Sequence, residues 1–167
     1  TWAPAGPGWN WQQPWGGYPS WDSLAFYGTE PVGLKTGKEL VGRHATPDDM
    51  AKTGLCAYLA DDGKTLLDEP AYIWRMPTTD EFVRSLTRDG RNAGCAWDGA
   101  RGQSACRTEP DKETPLWAPD EQPIYMWTAT EQSADNAWYV NYHGVVSSQP
   151  KSFGNPRHGY RCVKPVS

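Results

Sequence analysis

Four cysteines, Cys56, Cys95, Cys106 and Cys162, are spread along the chain with no C-x-x-C pair among them. Structural zinc sites bring close-set ligand pairs, so this spacing weighs against zinc and toward disulfides. Four cysteines allow three pairings. We favour Cys95–Cys106, which closes a short loop rich in Gly, Ala, Arg, Gln and Ser that has few aliphatic groups to bury. Such a closure contributes on the order of 3 kcal/mol. Cys56–Cys162 then joins a helix to the last strand. The alternative is four reduced thiols in a reducing compartment. The disulfide reading implies a secreted or cell-surface setting.

The 167 residues fit one domain, 1–167, because a unit of this size buries roughly 70% of its unfolded surface. The formal charge of -4, with no run of one sign, argues against nucleic acid and gives no support for docking on an anionic membrane. No stretch of about eighteen apolar residues occurs, so membrane insertion is not expected. Thr1-Trp2-Ala3-Pro4 lacks the regions of a signal peptide, and Thr1 reads as a processed or cut end. Aliphatic residues are sparse, while 10 Trp, 8 Tyr, 17 Gly and 15 Pro point to a loop-rich fold packed on rings.

Residues 1–45 hold Trp2, Trp9, Trp11, Trp15 and Trp21 among Gly and Pro, without a period of 2 or 3.6. They read as irregular structure packed on the domain, or as an exposed aromatic platform. A helix should begin at Thr46-Pro47-Asp48-Asp49, with Ala51, Leu55, Tyr58 and Leu59 on one face and a stop at Asp61-Asp62-Gly63. A short strand over 71–75 follows. Thr78-Thr79-Asp80-Glu81 fits a capping box for a second helix with Phe82, Val83 and Leu86 inside, ending at Asp89-Gly90. Arg75 would pair with a carboxylate that the sequence does not name. Residues 90–123 read as long loops. Strands are expected over 124–130, 137–142, 145–148 and 159–164, giving an α+β layout with an antiparallel meander.

In the strand over 137–142, alternation puts Trp138, Val140 and Tyr142 on one face, taken as the core face. Tyr139, Asn141 and His143 then face outward. Beyond the turn come Ser147, Ser148, Gln149, Lys151, Ser152, Phe153, Asn155, Arg157 and His158. This stretch is polar and dotted with aromatics between core-like neighbours. A rigid sheet carrying such a loop suits recognition, and an ordinary solvated loop is the plain alternative. The residues singled out for ligand contact are Tyr139, Asn141, His143, Ser147, Ser148, Lys151, Phe153, Asn155, Arg157 and His158. Lys151, Arg157, His158 and Lys164 give this end a positive balance that suits an anionic group.

Several segments, taken in order, resemble a known superfamily. They are Gly54-Leu55-Cys56-Ala57-Tyr58-Leu59, Trp74-Arg75-Met76-Pro77-Thr78-Thr79-Asp80-Glu81-Phe82, Tyr125-Met126-Trp127-Thr128-Ala129-Thr130-Glu131, Asn136-Ala137-Trp138-Tyr139-Val140-Asn141 and the closing Gly159-Tyr160-Arg161-Cys162-Val163. The set, over roughly 46–164, resembles the C-terminal domain family of bacterial collagen-like adhesins, with its W-R-L-P-T-x-x-E-L, Y-W-[ST]-[AS]-[ST]-[ET], N-A-W-Y-V and R-C-V runs. That family is similar in fold to formylglycine-generating enzymes and to the variable proteins of diversity-generating retroelements. The resemblance implies a C-type-lectin-like fold of two helices, antiparallel sheets and long irregular loops. It also implies a surface or secreted module whose ligand is a glycan, sulfated glycans included, or a protein. A homo-oligomeric structural domain is the alternative.

Enzymatic readings fail at specific residues. Formylglycine generation needs a copper-binding cysteine pair near an R-G-G-S-W run in the C-terminal half, and that run is absent. No G-x-S-x-G elbow accompanies His44, His143 and His158. Gly33-Leu34-Lys35-Thr36-Gly37-Lys38 lacks phosphate-loop spacing. The chain is therefore expected not to be an enzyme and to need no cofactor. Calcium stays open as an alternative through Asp61-Asp62-Gly63, Asp120-Glu121, or Glu131 with Asp135-Asn136. No EF-hand loop and no E-P-N or Q-P-D motif is present, and the nearest run, Glu109-Pro110-Asp111, lies elsewhere.

Overall fold

The computed structural model describes residues 20–29, 43–63, 65–88, 91–97, 99, 105–110, 125–141, 143–153 and 158–164. Within them, each helix begins where a side chain can replace the missing backbone acceptor. Ser20 accepts from the Ser23 amide at 3.1 Å and opens α1 (Trp21–Ala25), whose residues are all buried. Thr46 and Asp49 cap one another across α2 (Pro47–Thr53), with Asp49 accepting from the Thr46 amide at 2.8 Å. Thr78 and Glu81 do the same for α3 (Thr79–Arg84), as the sequence predicts.

The first long helix is shorter than its periodicity implies. It stops at Thr53, because Gly54 turns to an extended backbone with ψ 151. A Cβ on Gly54 would stand 2.1 Å from the Met50 carbonyl oxygen, so only glycine lets the chain leave the helix so tightly. A 3-10 turn (Leu55–Tyr58) follows and buries all four of its residues. The strand expected over 71–75 is reduced to one bridge between Arg75 and Val163. Tyr72 breaks it, with φ at 55. A short hairpin, β1 (Thr87–Arg88) with β2 (Arg91–Asn92), lies near the start of the region read as loop. Asp89, Gly90 and Ile124 lie outside the described residues.

Four further strands form one sheet: β3 (Tyr125–Glu131), β4 (Asn136–Asn141), β5 (Val146–Pro150) and β6 (His158–Gly159), in the order β5-β4-β3-β6. β4 pairs antiparallel with both neighbours. β6 runs parallel to β3, so the sheet is mixed and the expected antiparallel meander ends at β5. The fold is α+β.

The sheet is covered on both faces. Trp127 and Tyr139 point into a core with Trp21, Leu24, Phe26, Leu55 and Trp74. Met126, Val140 and Val146 point the other way, against Phe82, Val83 and Leu86 of the α3 region. Period-two alternation therefore feeds two interiors rather than one interior and solvent. Each interior holds a disulfide: Cys56–Cys162, spanning 106 residues, in the aromatic core, and Cys95–Cys106, spanning 11, beside the aliphatic one. Both match the favoured pairing.

Candidate functional site

The far end of β4 is shaped by Asn141. Its Oδ1 accepts from the amides of His143 at 2.9 Å and Val145 at 3.1 Å, and Gly144 completes the turn at φ 82. Asn141 thus holds the turn from a half-buried position. Its neighbour His143 is exposed, with Nδ1 3.4 Å from Glu109. The edge strand β5 keeps Ser147, Ser148 and Gln149 half-buried, and Phe153 beyond it is 38% exposed. These groups line one margin of the sheet. Asn155 and Arg157 lie outside the described residues, and His158 pairs through its backbone with Tyr125 in β6.

Two expected ligand contacts are corrected. Tyr139 is 8% exposed, and its ring meets Tyr125 and Trp127 edge-on at 4.9 and 6.0 Å. Its outward assignment presumed one solvent-facing side, whereas both sides are packed. Trp138, assigned to the core face with Val140, does pack against the aliphatic core, half-buried and 5.1 Å from Trp97. Lys151 is also buried, at 1% exposure. Its Nζ donates to the Ala45 carbonyl at 2.6 Å and to Glu131 at 2.7 Å, and stands 4.9 Å from the centre of the Trp21 ring. A lysine so enclosed persists because carboxylate, carbonyl and ring together replace its water. Lys164, read as part of a positive patch, sits 3.2 Å from Asp61 and 4.8 Å over Trp74.

Around Lys151 a polar seam joins distant segments. Asp22, fully buried, accepts from the Ala45 amide at 2.9 Å and meets His44 Nδ1 at 2.7 Å. The opposite ring nitrogen of His44 is 3.6 Å from Asp135. Trp21 donates its indole N–H to the Thr128 carbonyl at 2.7 Å. Of the five N-terminal tryptophans, Trp21 is therefore core; Trp2, Trp9, Trp11 and Trp15 lie outside the described residues.

A groove of about 360 Å³ runs between α2 and the 75–81 segment, floored by Pro47, Met50, Ala51, Met76 and Ala129. At its rim Arg75 and Glu81 bind each other through two 2.7 Å hydrogen bonds, which supplies the partner the sequence left unnamed. That bidentate contact holds the Glu81 carboxyl down to about 2 from 4.5 and raises Arg75. The groove's charges are spent on one another, so it offers shape but no free acid or base. Among the described residues, no three His, Cys, Asp or Glu side chains gather as metal ligands, and no helix is long and apolar enough to cross a membrane.

Sequence reasoning missed the loop over 67–72. Tyr72 is 61% exposed and Leu67 36%, with the carboxylates of Asp68 and Glu69 also exposed. The signal was present in Leu67-Asp68-Glu69-Pro70-Ala71-Tyr72 itself, where exposed acids flank apolar residues that no helix or strand period absorbs. Compared with protein-family models, with curated proteins and with solved structures, the chain matches none.

Proposed function

We propose that the chain is a disulfide-tied recognition module of C-type-lectin-like, adhesin-like type, acting at the cell surface or after secretion, and that it binds a glycan or a protein. One observation carries the reading. A sheet gripped on both faces by two separate cores leaves its margin, from the His143 turn along β5 to Phe153, as a fixed ledge. Fixed ledges of mixed hydroxyl, imidazole and aromatic character bind with little ordering cost. The two cystines fit an oxidising compartment. The reading is of binding rather than catalysis: all four cysteines are oxidised, and Arg75 and Glu81 neutralise each other.

The test is a glycan array, run beside a panel of immobilised extracellular proteins, comparing the wild type with a His143→Ala/Phe153→Ala variant and recording light scattering for both. A monomer that binds one ligand class, with binding lost in the variant at unchanged melting temperature, supports the proposal. A stable trimer without any ligand supports an assembly role instead, and binding untouched by the variant removes the ledge from the account.

A further inference from the structure

The loop over 67–72 is held open like a bracket. At one end the Leu67 amide donates to the Tyr58 carbonyl at 2.8 Å. At the other, the amides of Ala71 and Tyr72 both donate to the Ala57 carbonyl, at 2.8 and 3.1 Å. Both anchors belong to the 3-10 turn that Cys56 ties to Cys162. The Tyr72 hydroxyl donates to the Lys52 carbonyl at 3.2 Å, which fixes the ring at the surface. Tyr72 adopts φ 55, a left-handed conformation that strains a residue with a Cβ and that asparagine or glycine would enter more easily. The molecule holds a large ring in a strained, solvent-facing position.

The charged side chains of the loop itself, Asp68 and Glu69, have one sign. Asp68 and Glu69 have no ion-pair or hydrogen-bond partner among the described residues. They lie near enough to Tyr27 and Tyr58 that, after burial, their charge is among the causes raising those phenols, which stay neutral. Tyr27 and Tyr58 themselves meet edge-on at 5.3 Å. A loop that presents an exposed ring, two exposed carboxylates and an exposed leucine within six residues matches a long cationic side chain: ring and acids for the charged head, leucine for the methylene stem. The same chain makes this pairing internally, where Lys164 rests over Trp74 beside Asp61, and Lys151 over Trp21 beside Glu131.

We infer that the 67–72 loop is a second recognition surface, separate from the sheet margin, that takes a lysine- or arginine-bearing segment of a partner protein. The complementary charge of Asp68 and Glu69 selects the partner, and the fixed ring of Tyr72 gives it a seat.

The test is an amide-resolved NMR titration of the full chain with hexalysine, with chitohexaose as a neutral comparison. Hexalysine is expected to shift the amides of residues 67–72 first. Its affinity should fall about tenfold in Asp68→Asn/Glu69→Gln and severalfold in Tyr72→Asn, and weaken with salt. Tyr72→Asn suits the left-handed backbone and should melt no lower than the wild type, so loss of binding there is not loss of fold. The His143→Ala/Phe153→Ala variant should bind hexalysine as the wild type does, so this surface and the sheet margin succeed or fail independently. Shifts spread evenly over the acidic residues, affinities unchanged in both loop variants, absence of binding, or a response to chitohexaose alone would each overturn the inference.

Discussion

The two interiors on either side of the sheet are closed in opposite ways. The aromatic core is sealed by links between remote segments: Cys56 to Cys162, Trp21 to Thr128, Lys151 to Ala45. The aliphatic core is sealed locally, by the helix Thr79–Arg84, the short hairpin after it and a cystine across 11 residues. Thr128 connects them. Its hydroxyl bonds Thr79 at 2.8 Å on the aliphatic side, while its carbonyl accepts from Trp21 on the aromatic side. A loop-rich chain with few aliphatic residues gains order on one face from long-range closure and on the other from ordinary apolar packing.

That contrast can be broken most directly at the cystines. Replacing Cys56 and Cys162 by serine should cost about 4.7 kcal/mol, and replacing Cys95 and Cys106 about 3 kcal/mol, in guanidinium unfolding. The reverse order would mean that the local closure is the dominant one. Phe82→Ala should cost about 4 kcal/mol, because the ring is fully buried among Val83, Leu86 and Met126. Hydrogen exchange should then rise first on the aliphatic side, and uniform loss of protection would show that the two cores melt as one.

Lys151→Met keeps the methylenes but strands the Glu131 carboxylate and the Ala45 carbonyl, with an expected cost of about 3 kcal/mol in urea unfolding. The cost should shrink when Glu131→Gln is added, and an unchanged cost would deny that the pair matters. The smallest effect sits at the groove. The Glu81 carboxyl, depressed from 4.5 to about 2, favours the folded state above 4.5, and that contribution disappears as pH falls through 2. Glu81 is 42% exposed, so screening leaves about 1 kcal/mol. Between pH 5 and 2 the wild type should lose that much more stability than Glu81→Gln, and equal losses would remove the ion pair from the account.

Local chemistry was readable without coordinates. Thr46, Thr78 and Glu81 announce their helix starts because a cap needs only neighbours in sequence. The cystines were readable because the cysteines are even in number, lack a close-set pair, and include two that bracket a short loop poor in aliphatic residues. What failed depended on tertiary surroundings. Tyr139 and Lys151 lie in a polar-looking stretch, yet both are interior. Alternation reveals that two sets of side chains face apart, but not that each set meets its own core. The close approach of Gly54 to Met50 and the left-handed Tyr72 are likewise set by the folded frame, not by residue type. Of the sheet-margin residues, His143 and Phe153 are exposed and Ser147 and Ser148 half-buried, whereas the acidic loop went unnoticed because it belongs to no regular element.

The remote links of the aromatic core also set an order of events. During chain growth Trp21, Ala45 and Cys56 emerge about a hundred residues before Thr128, Lys151 and Cys162 can reach them. Until then a fully buried tryptophan and a half-cystine have nothing to close upon, and the nascent N-terminal half lacks its native interior. The domain is therefore built to stay loose while its early segments emerge and to lock only once the last strand reaches them.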